Sequence, residues 1–316
     1  MKNLFTLGAL YTLLLINISN CGAAPPKVVA SIPPIHSLAA GVMEGVGSPG
    51  LLIRKGGSPH SFSLRPSDAR MLQESQIVFW VGEGFENFLI RSLGTLSQPE
   101  RIVTLSKISG LTLYPARTAS AWWDGQTLER HGDHYHHNGP REPDMHIWLD
   151  PRNARVLVRA MAVELGRVNS ARQALYMANA KRLTQRIDAL EAEIRTTLVP
   201  VQKIPYVVFH DAYRYFEERF GLHPMGSIVV GSGRMPGARR LTALRRKIHA
   251  LGAVCIFAEP QFKPPLLETI MEGTSARAGV LDPLGANIEP GPELYFSLLK
   301  ELAAALRACL PPAVGR

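Results

Sequence analysis

Short apolar runs rich in β-branched residues alternate with longer amphipathic stretches along almost the whole chain. In the first half, strands are predicted at 27–32, 50–53, 77–81 and 102–105, with helices at 33–43 and 66–74. In the second half, strands are predicted at 206–210, 227–230, 254–258 and 280–281, with helices at 212–219, 237–251, 264–272 and 293–309. Strand–helix–strand alternation is typical of a mainly parallel sheet with helices on its faces. The sequence therefore predicts an α/β protein with two such lobes.

The stretch 171–198 between these halves has the most regular helical pattern in the chain. Its apolar residues recur at intervals of four, three, four and four, at Leu183, Ile187, Leu190, Ile194 and Leu198. Such a helix would extend roughly 42 Å, which is longer than a single small lobe needs. Periodicity alone favours equally a helix that joins two lobes and a long helix packed on one of them.

Residues 1–23 have the features of a secretory signal peptide. A basic start precedes the apolar run 4–18, and small residues follow it. This run of about 15 residues is short for a membrane span, which needs ~20. We expect cleavage after Ala23 and export of the mature chain. Lipidation of Cys21 is the alternative, which the preceding Asn20 disfavours.

The chain is basic, with 35 Lys+Arg against 26 Asp+Glu and a formal net charge of +9. The densest basic group is Arg239, Arg240, Arg245, Arg246 and Lys247. Its spacing fits one solvated helix face, and no aromatic residues are interleaved with it. Together with export, this pattern excludes nucleic acid as an expected partner. Three cysteines without a Cys-x-x-Cys pair exclude a thiolate zinc ribbon.

Four of the ten histidines lie within seven residues, at His131, His134, His136 and His137. They belong to a polar segment, 115–143, whose glycines, prolines and lack of periodicity predict a mobile loop. We expect this cluster to form a secondary metal site, and a weak one, because ordering a flexible loop around a metal costs entropy. The alternative is a solvated polar loop with no required role.

Four dispersed residues have positions that suit a metal site. His60 closes a glycine-rich loop after the second strand, and His146 begins the ordered segment after the long loop. His210 ends the strand 206–210, and Asp282 follows the last strand. Ligands of parallel α/β sheets bind at the carboxyl ends of strands. Three imidazoles and one carboxylate suit Zn²⁺ in tetrahedral geometry.

Five segments carry longer motifs: 57–68 (GSPHSFSLRPSD), 144–151 (DMHIWLDP), 209–213 (FHDAY), 257–262 (FAEPQF) and 281–285 (LDPLG). In this order they resemble the ligand and signature segments of the periplasmic zinc-binding proteins that serve ABC importers. The resemblance covers essentially the whole mature chain. It implies capture of Zn²⁺ with high affinity in the periplasm and delivery to the membrane permease of an ABC transporter. A monomer is expected.

The resemblance also implies an architecture of two Rossmann-like lobes joined by one long rigid helix, which decides the interpretation of 171–198. We accordingly expect an N-terminal metal-binding lobe at 24–169, with the histidine-rich loop at 124–139. The linking helix is then expected at 170–199 and the C-terminal metal-binding lobe at 200–316.

By this resemblance His60, His146 and His210 are the imidazole ligands, and Asp282 stands at the acidic ligand position. Relatives that carry manganese or iron typically have a carboxylate where His210 stands, so a third imidazole favours zinc. Close zinc homologues often have an acidic residue immediately before the first ligand, where this chain has Pro59. Asp282 or a water molecule must therefore complete the coordination shell.

Cys255 and Cys309 are expected to form a disulfide in an oxidising compartment, and family members resemble this arrangement. The bond would close a loop of about 55 residues and stabilise the fold by a few kcal/mol. Two buried free thiols are the alternative.

Three other functions remain as alternatives. An exported zinc hydrolase would need a general base, for which Glu259 or Glu83 is available. However, the chain has neither a His-Glu-x-x-His helix nor a Gly-x-Ser-x-Gly elbow, so we expect no enzyme. A manganese- or iron-binding homologue is the second alternative. The third is a surface or adhesive protein with a structural metal, which lipidation of Cys21 would favour.

Overall fold

The computed structural model describes residues 24–54, 57, 59, 62–96, 98, 101–117, 142–229, 242, 245–246, 248–250, 255–260, 268 and 270–310. The predicted signal peptide with Cys21, His60, and the histidines at 131–137 lie outside these residues. Most of the helices predicted at 237–251 and 264–272 also lie outside them.

The first half forms a parallel four-stranded sheet of order β2-β1-β3-β4. Its strands are β1 (Val28–Ala30), β2 (Gly50–Leu51), β3 (Ile77–Trp80) and β4 (Ile102–Thr104). Its helices are α1 (Pro33–Val42), α2 (Pro66–Glu74), α3 (Ile90–Gly94) and α4 (Pro151–Val168). α1, α2 and α4 each begin with proline, whose missing N–H costs nothing in the first turn. The side chain of Asp150 caps α4 by accepting the backbone N–H of Arg152. We call this unit the N-terminal lobe.

The second half forms another parallel four-stranded sheet, of order β6-β5-β7-β8, which we call the C-terminal lobe. Its strands are β5 (Tyr206–His210), β6 (Pro224–Val229), β7 (Cys255–Ala258) and β8 (Arg277–Val280). The helix α6 (Arg214–Phe220) follows β5, and α7 (Leu294–Cys309) ends the described chain. A disulfide between Cys255 and Cys309 fastens β7 to α7, which confirms the expected pairing.

The long helix α5 (Gln173–Leu198) has 26 residues and short 3₁₀ turns at both ends. It packs against α1 and α4 of the N-terminal lobe and against α7 of the C-terminal lobe. Its predicted apolar stripe is buried and belongs to one continuous core that includes residues of both lobes. The helix therefore joins two lobes, and this part of the predicted fold is confirmed. In the described part of the chain, no helix has the length and apolar character required to cross a membrane.

The predicted strand limits were wrong mainly at the edges of the sheets. β6 begins at Pro224 instead of 227, β8 spans Arg277–Val280 instead of 280–281, and β2 has only two residues. Edge strands are partly exposed, so they carry small and polar residues that a search for apolar runs does not find. The helix predicted at 212–219 also begins later than expected, at Arg214.

Candidate metal centre

His146 and His210 come from different lobes and meet between them. His210 is the last residue of β5, and His146 immediately precedes the 3₁₀ turn Ile147–Leu149. Their ring centroids are 5.1 Å apart, and both residues are buried. Two of the predicted ligands are thus brought together at the carboxyl end of a parallel strand, as the sequence predicts.

The ring of His146 is held by a carboxylate and by aromatic neighbours. Its Nδ1 lies 2.7 Å from Oδ1 of Asp144, and the same oxygen accepts the backbone N–H of His146 at 2.9 Å. The rings of Phe85 and Trp148 pack against the imidazole. Trp148 in turn donates its indole N–H to the carbonyl of Pro283 in the C-terminal lobe. With the proton on Nδ1, the lone pair that can bind a metal is on Nε2.

His210 has a similar carboxylate partner. Its Nδ1 lies 3.3 Å from Oε1 of Glu259, which follows β7 and is 5% exposed. Burial opposes protonation of the imidazole, but Glu259, and then Asp211 and Asp144, raise the pKa of His210 above its usual value. Each of the two imidazoles therefore faces a buried carboxylate through Nδ1, the arrangement that orients metal-binding histidines in proteins.

Asp282 lies two residues after the end of β8, the strand that pairs with β7. Its carboxylate accepts the backbone N–H groups of Leu284, Gly285 and Ala286 at 2.9, 3.0 and 2.6 Å. The hydroxyl of Tyr213 donates to the carbonyl of Leu281, the residue before Asp282, at 2.9 Å. Burial, and then the charges of Glu259 and Asp282, raise the pKa of Tyr213 well above its usual value.

The complete predicted ligand set is not assembled within the described residues. Across those residues, no group of three or more His, Cys, Asp or Glu side chains is arranged to hold a metal ion. The structure brings His146 and His210 together but does not place Asp282 with them, and His60 is not described. All four residues therefore stay predictions as ligands.

The sequence analysis missed two residues that support this site. Asp144 was quoted only as part of a motif, and Glu259 was considered only as a general base. The position of each in the sequence indicates a role at the site. Glu259 directly follows the predicted strand 254–258, and Asp144 lies two residues before the predicted ligand His146. A search for carboxylates that adjoin a predicted ligand or directly follow a predicted strand would have found both.

A third buried carboxyl group lies below the site in the N-terminal lobe. Glu86 is fully buried at the carboxyl ends of β1 and β3, where it accepts hydrogen bonds from the hydroxyl of Ser31 and the backbone N–H groups of Val81 and Gly82. Burial raises the pKa of Glu86 to about 7. Glu86 fixes the turn that carries Phe85, whose ring supports His146.

The sequence profile of the family described as zinc-uptake complex component A, periplasmic (ZnuA), matches residues 28–309. The chain belongs to this family. ZnuA proteins are periplasmic components of zinc uptake, so this chain is a transport component and not an enzyme. A high-affinity zinc uptake system protein ZnuA of Brucella abortus (strain 2308) is 40% identical over 312 residues, covering 90% of this chain and 91% of the relative.

Solved structures show that the fold is that of ZnuA and of other metal-binding proteins. A crystal structure of ZnuA superposes with a TM-score of 0.73 at 22% identity, covering 91% of this chain and 100% of that one. The solute-binding protein FpvC from Pseudomonas aeruginosa, in complex with Mn²⁺, superposes with a TM-score of 0.74 at 20% identity, covering 90% and 98%. The fold alone therefore does not select the metal.

Proposed function

We propose that this chain captures Zn²⁺ between its two lobes and passes it to the membrane permease of a zinc ABC importer. His146 and His210 are the ligands contributed by the two lobes, and His60 and Asp282 complete a tetrahedral shell. The observation that carries this proposal is the pair of buried imidazoles 5.1 Å apart, each with a carboxylate at Nδ1.

The donor set of this site favours zinc. Neutral imidazole nitrogens suit Zn²⁺, whereas carboxylate-rich sites suit manganese. Asp144 and Glu259 contribute negative charge outside the coordination shell, which offsets the charge of the dication and makes the ligand imidazoles more basic. The 40% identical relative from Brucella is itself described as a high-affinity zinc uptake protein.

The sequence motif makes Asp282 our candidate for the fourth ligand. Three backbone N–H groups fix the orientation of its carboxylate at the end of β8, in the same sheet that carries His210. Pro59 offers no carboxylate beside His60, so the competing occupant of the fourth position is a water molecule.

The setting of this function follows from the predicted signal peptide at 1–23. We infer that the chain is exported, acts in the periplasm as a monomer and meets the permease there. The boundaries at 24–169, 170–199 and 200–316 remain our proposed division into lobes and linking helix.

The hydrolase alternative lacks a suitable base among the two glutamates considered. Glu83 is about two-thirds exposed, with a side-chain exposure of 66%, and its Oε1 lies 4.0 Å from Nζ of Lys107. Glu259 faces Nδ1 of His210 and is needed there to orient the ring. A manganese- or iron-binding function shares the fold, but relatives with that function typically have a carboxylate where His210 stands, and an imidazole suits zinc better than manganese.

Titration of the metal-free mature chain with zinc, using a competing chelator, tests this function. The variants His146→Ala and His210→Ala should each weaken binding by on the order of 100-fold or more, because losing a ligand costs more than losing an outer-shell partner. The control variant His223→Ala removes an exposed imidazole and should bind like wild type. Wild-type affinity in both cleft variants would overturn the proposal.

A further inference from the structure

The segment that leads into His146 is paired with the chain that follows β4. Pro115 and Pro143 form an antiparallel bridge, the N–H of Ala116 donates to Glu142, and the N–H of Asp144 donates to Tyr114. We call residues 114–117 and 142–144 the strap. The described ends of the predicted loop 115–143 are thus ordered backbone, and the strap fixes the direction from which His146 enters the site.

The strap of the N-terminal lobe is fastened to helix α6 of the C-terminal lobe. The hydroxyl of Tyr215 donates to the carbonyl of Asp144 at 2.7 Å and accepts the N–H of Tyr114 at 3.2 Å. Arg214 donates to the carbonyl of Pro115, and its guanidinium lies 5.1 Å from the centroid of the Tyr114 ring. α6 follows β5 after a three-residue turn, so these contacts act close to His210.

Arg117 adds an ionic contact between the same two elements. Its Nη1 lies 3.0 Å from Oδ1 of Asp211 and 2.6 Å from Oε2 of Glu217. The Arg117 side chain is only 14% exposed, and that of Glu217 is 1% exposed. Burial opposes its charge, yet the two carboxylates raise the pKa of Arg117 above its usual value. Because Asp211 adjoins His210, Arg117 links the strap directly to the segment that carries His210.

We propose that Arg117 and Tyr215 are positioning residues for metal capture, which hold the His146 strap against the His210 segment before the ion arrives. This inference rests on the proposed function. The metal ion must contact both imidazoles at once. A site whose ligands already lie together therefore binds the ion without first having to move one lobe toward the other. If the converged arrangement becomes less populated, the apparent affinity falls by the same factor.

The position of this contact explains why it acts on binding and not only on folding. Asp144 both orients His146 through its carboxylate and accepts the Tyr215 hydroxyl through its carbonyl. A shift of α6 relative to the strap therefore moves the carboxylate of Asp144, which aligns His146. It also moves the segment that carries His210. We expect loss of Arg117 to weaken zinc binding about 10- to 100-fold, the range found for outer-shell partners. The same contacts also hold the two imidazoles together around a bound ion, so their loss should raise the release rate as well.

The test compares Arg117→Met and Tyr215→Phe with the matched control Arg155→Met in the full mature chain. Arg155 is similarly buried, at 16% exposure, and likewise contacts two carboxylates, Asp188 and Glu191. Zinc affinity and zinc release are measured against a chelator, together with the melting temperature of each metal-free variant. The visible absorption spectrum of the Co²⁺-loaded proteins reports the ligand set.

Arg117→Met leaves a buried carboxyl group unpaired, so the double variant Arg117→Met with Glu217→Gln is included. The amide retains an oxygen to accept the hydroxyl of Tyr206, which lies 3.2 Å from Oε1 of Glu217. We expect the double variant to recover thermal stability relative to Arg117→Met while zinc release stays fast.

We expect Arg117→Met, Tyr215→Phe and the double variant to release zinc faster, with a wild-type Co²⁺ spectrum, while Arg155→Met loses stability but keeps its zinc affinity. The inference would be overturned if the double variant and Tyr215→Phe had the same zinc affinity and the same zinc release rate as Arg155→Met. This outcome does not depend on whether Arg117→Met folds. Failure of the wild-type chain to bind zinc would instead refute the proposed function.

Discussion

Oε1 of Glu259 lies 3.3 Å from Nδ1 of His210, and both side chains are almost completely buried between the lobes. A buried carboxylate in this place fixes the ring and its tautomer, so that Nε2 carries the lone pair. Asp144 has the same relationship to His146. Carboxylates beside imidazoles from both lobes distinguish this pair from histidines that are merely packed in a core, such as His36, whose Nε2 contacts the carbonyl of Pro49.

The two outer carboxylates should each contribute to zinc affinity without binding the ion. Glu259→Gln and Asp144→Asn keep the size of the side chain but remove the carboxylate charge that faces Nδ1, so each should lower the affinity about 10- to 100-fold. Chelator competition measures this effect. Glu301→Gln on the exposed face of α7 serves as the control and should bind like wild type. Unchanged affinity in both outer-shell variants would show that the carboxylates do not orient the ligands.

The histidine cluster at 131–137 should contribute little to tight binding. Deleting these residues removes four imidazoles but none of the proposed cleft ligands, so the tight site should persist while weaker zinc binding is lost. Calorimetry with the deletion variant and with His146→Ala measures the affinities of the tight site and of the weaker zinc binding. If the deletion weakened the tight site more than His146→Ala does, the ligands would be assigned wrongly.

Stability should depend on pH through Glu86. Burial raises its pKa from 4.5 to about 7 in the folded state, so the folded form holds a proton that the unfolded form has lost. This contribution to stability is fully present below the unfolded pKa and is lost as the pH rises through about 7. Between about pH 4 and about pH 8, the loss should amount to roughly 3 kcal/mol.

Urea unfolding of the metal-free protein and of Glu86→Gln over this pH range isolates the effect. Other groups, including Glu217 with its pKa of about 7, titrate in both proteins and cancel in the difference. The unfolding free energy of wild type should fall relative to that of Glu86→Gln as the pH rises. Parallel curves for the two proteins would mean that Glu86 is not protonated in the folded state.

The disulfide should stabilise the C-terminal lobe without affecting the metal. Cys255 begins β7, whereas Glu259 follows the opposite end of that strand, so the bond is remote from the site. Replacing Cys255 and Cys309 by serine should lower the free energy of unfolding by about 4 kcal/mol. Zinc affinity below the melting temperature should stay at the wild-type value. A large loss of zinc affinity would place the bond among the determinants of the site.

Much of the fold could be predicted from the sequence because its central strands are buried on both faces. β1, β3, β5 and β7 are short runs of apolar residues, and this pattern identifies parallel strands directly. The start of the edge strand β8 was not predicted, because Arg277 and Ala278 are exposed there. β8 is a strand because it pairs with β7, and not because its own residues are apolar.

The site could be predicted only as far as single positions at strand ends allow. His210 ends a recognisable strand and His146 lies in a recognisable motif, so both were found. Arg117 could not be found in this way, because its role depends on contacts with residues almost 100 positions later in the chain. Long-range pairing of this kind arises from tertiary packing and leaves no periodic trace in a sequence.

Diffraction from zinc-loaded crystals, with anomalous data collected at the zinc edge, tests the central claim most directly. The account predicts one strong peak between the lobes, ~2.0–2.1 Å from Nε2 of both His146 and His210. The same map decides whether His60 and Asp282 complete the shell. A fully occupied zinc ion bound by neither His146 nor His210 would contradict the account.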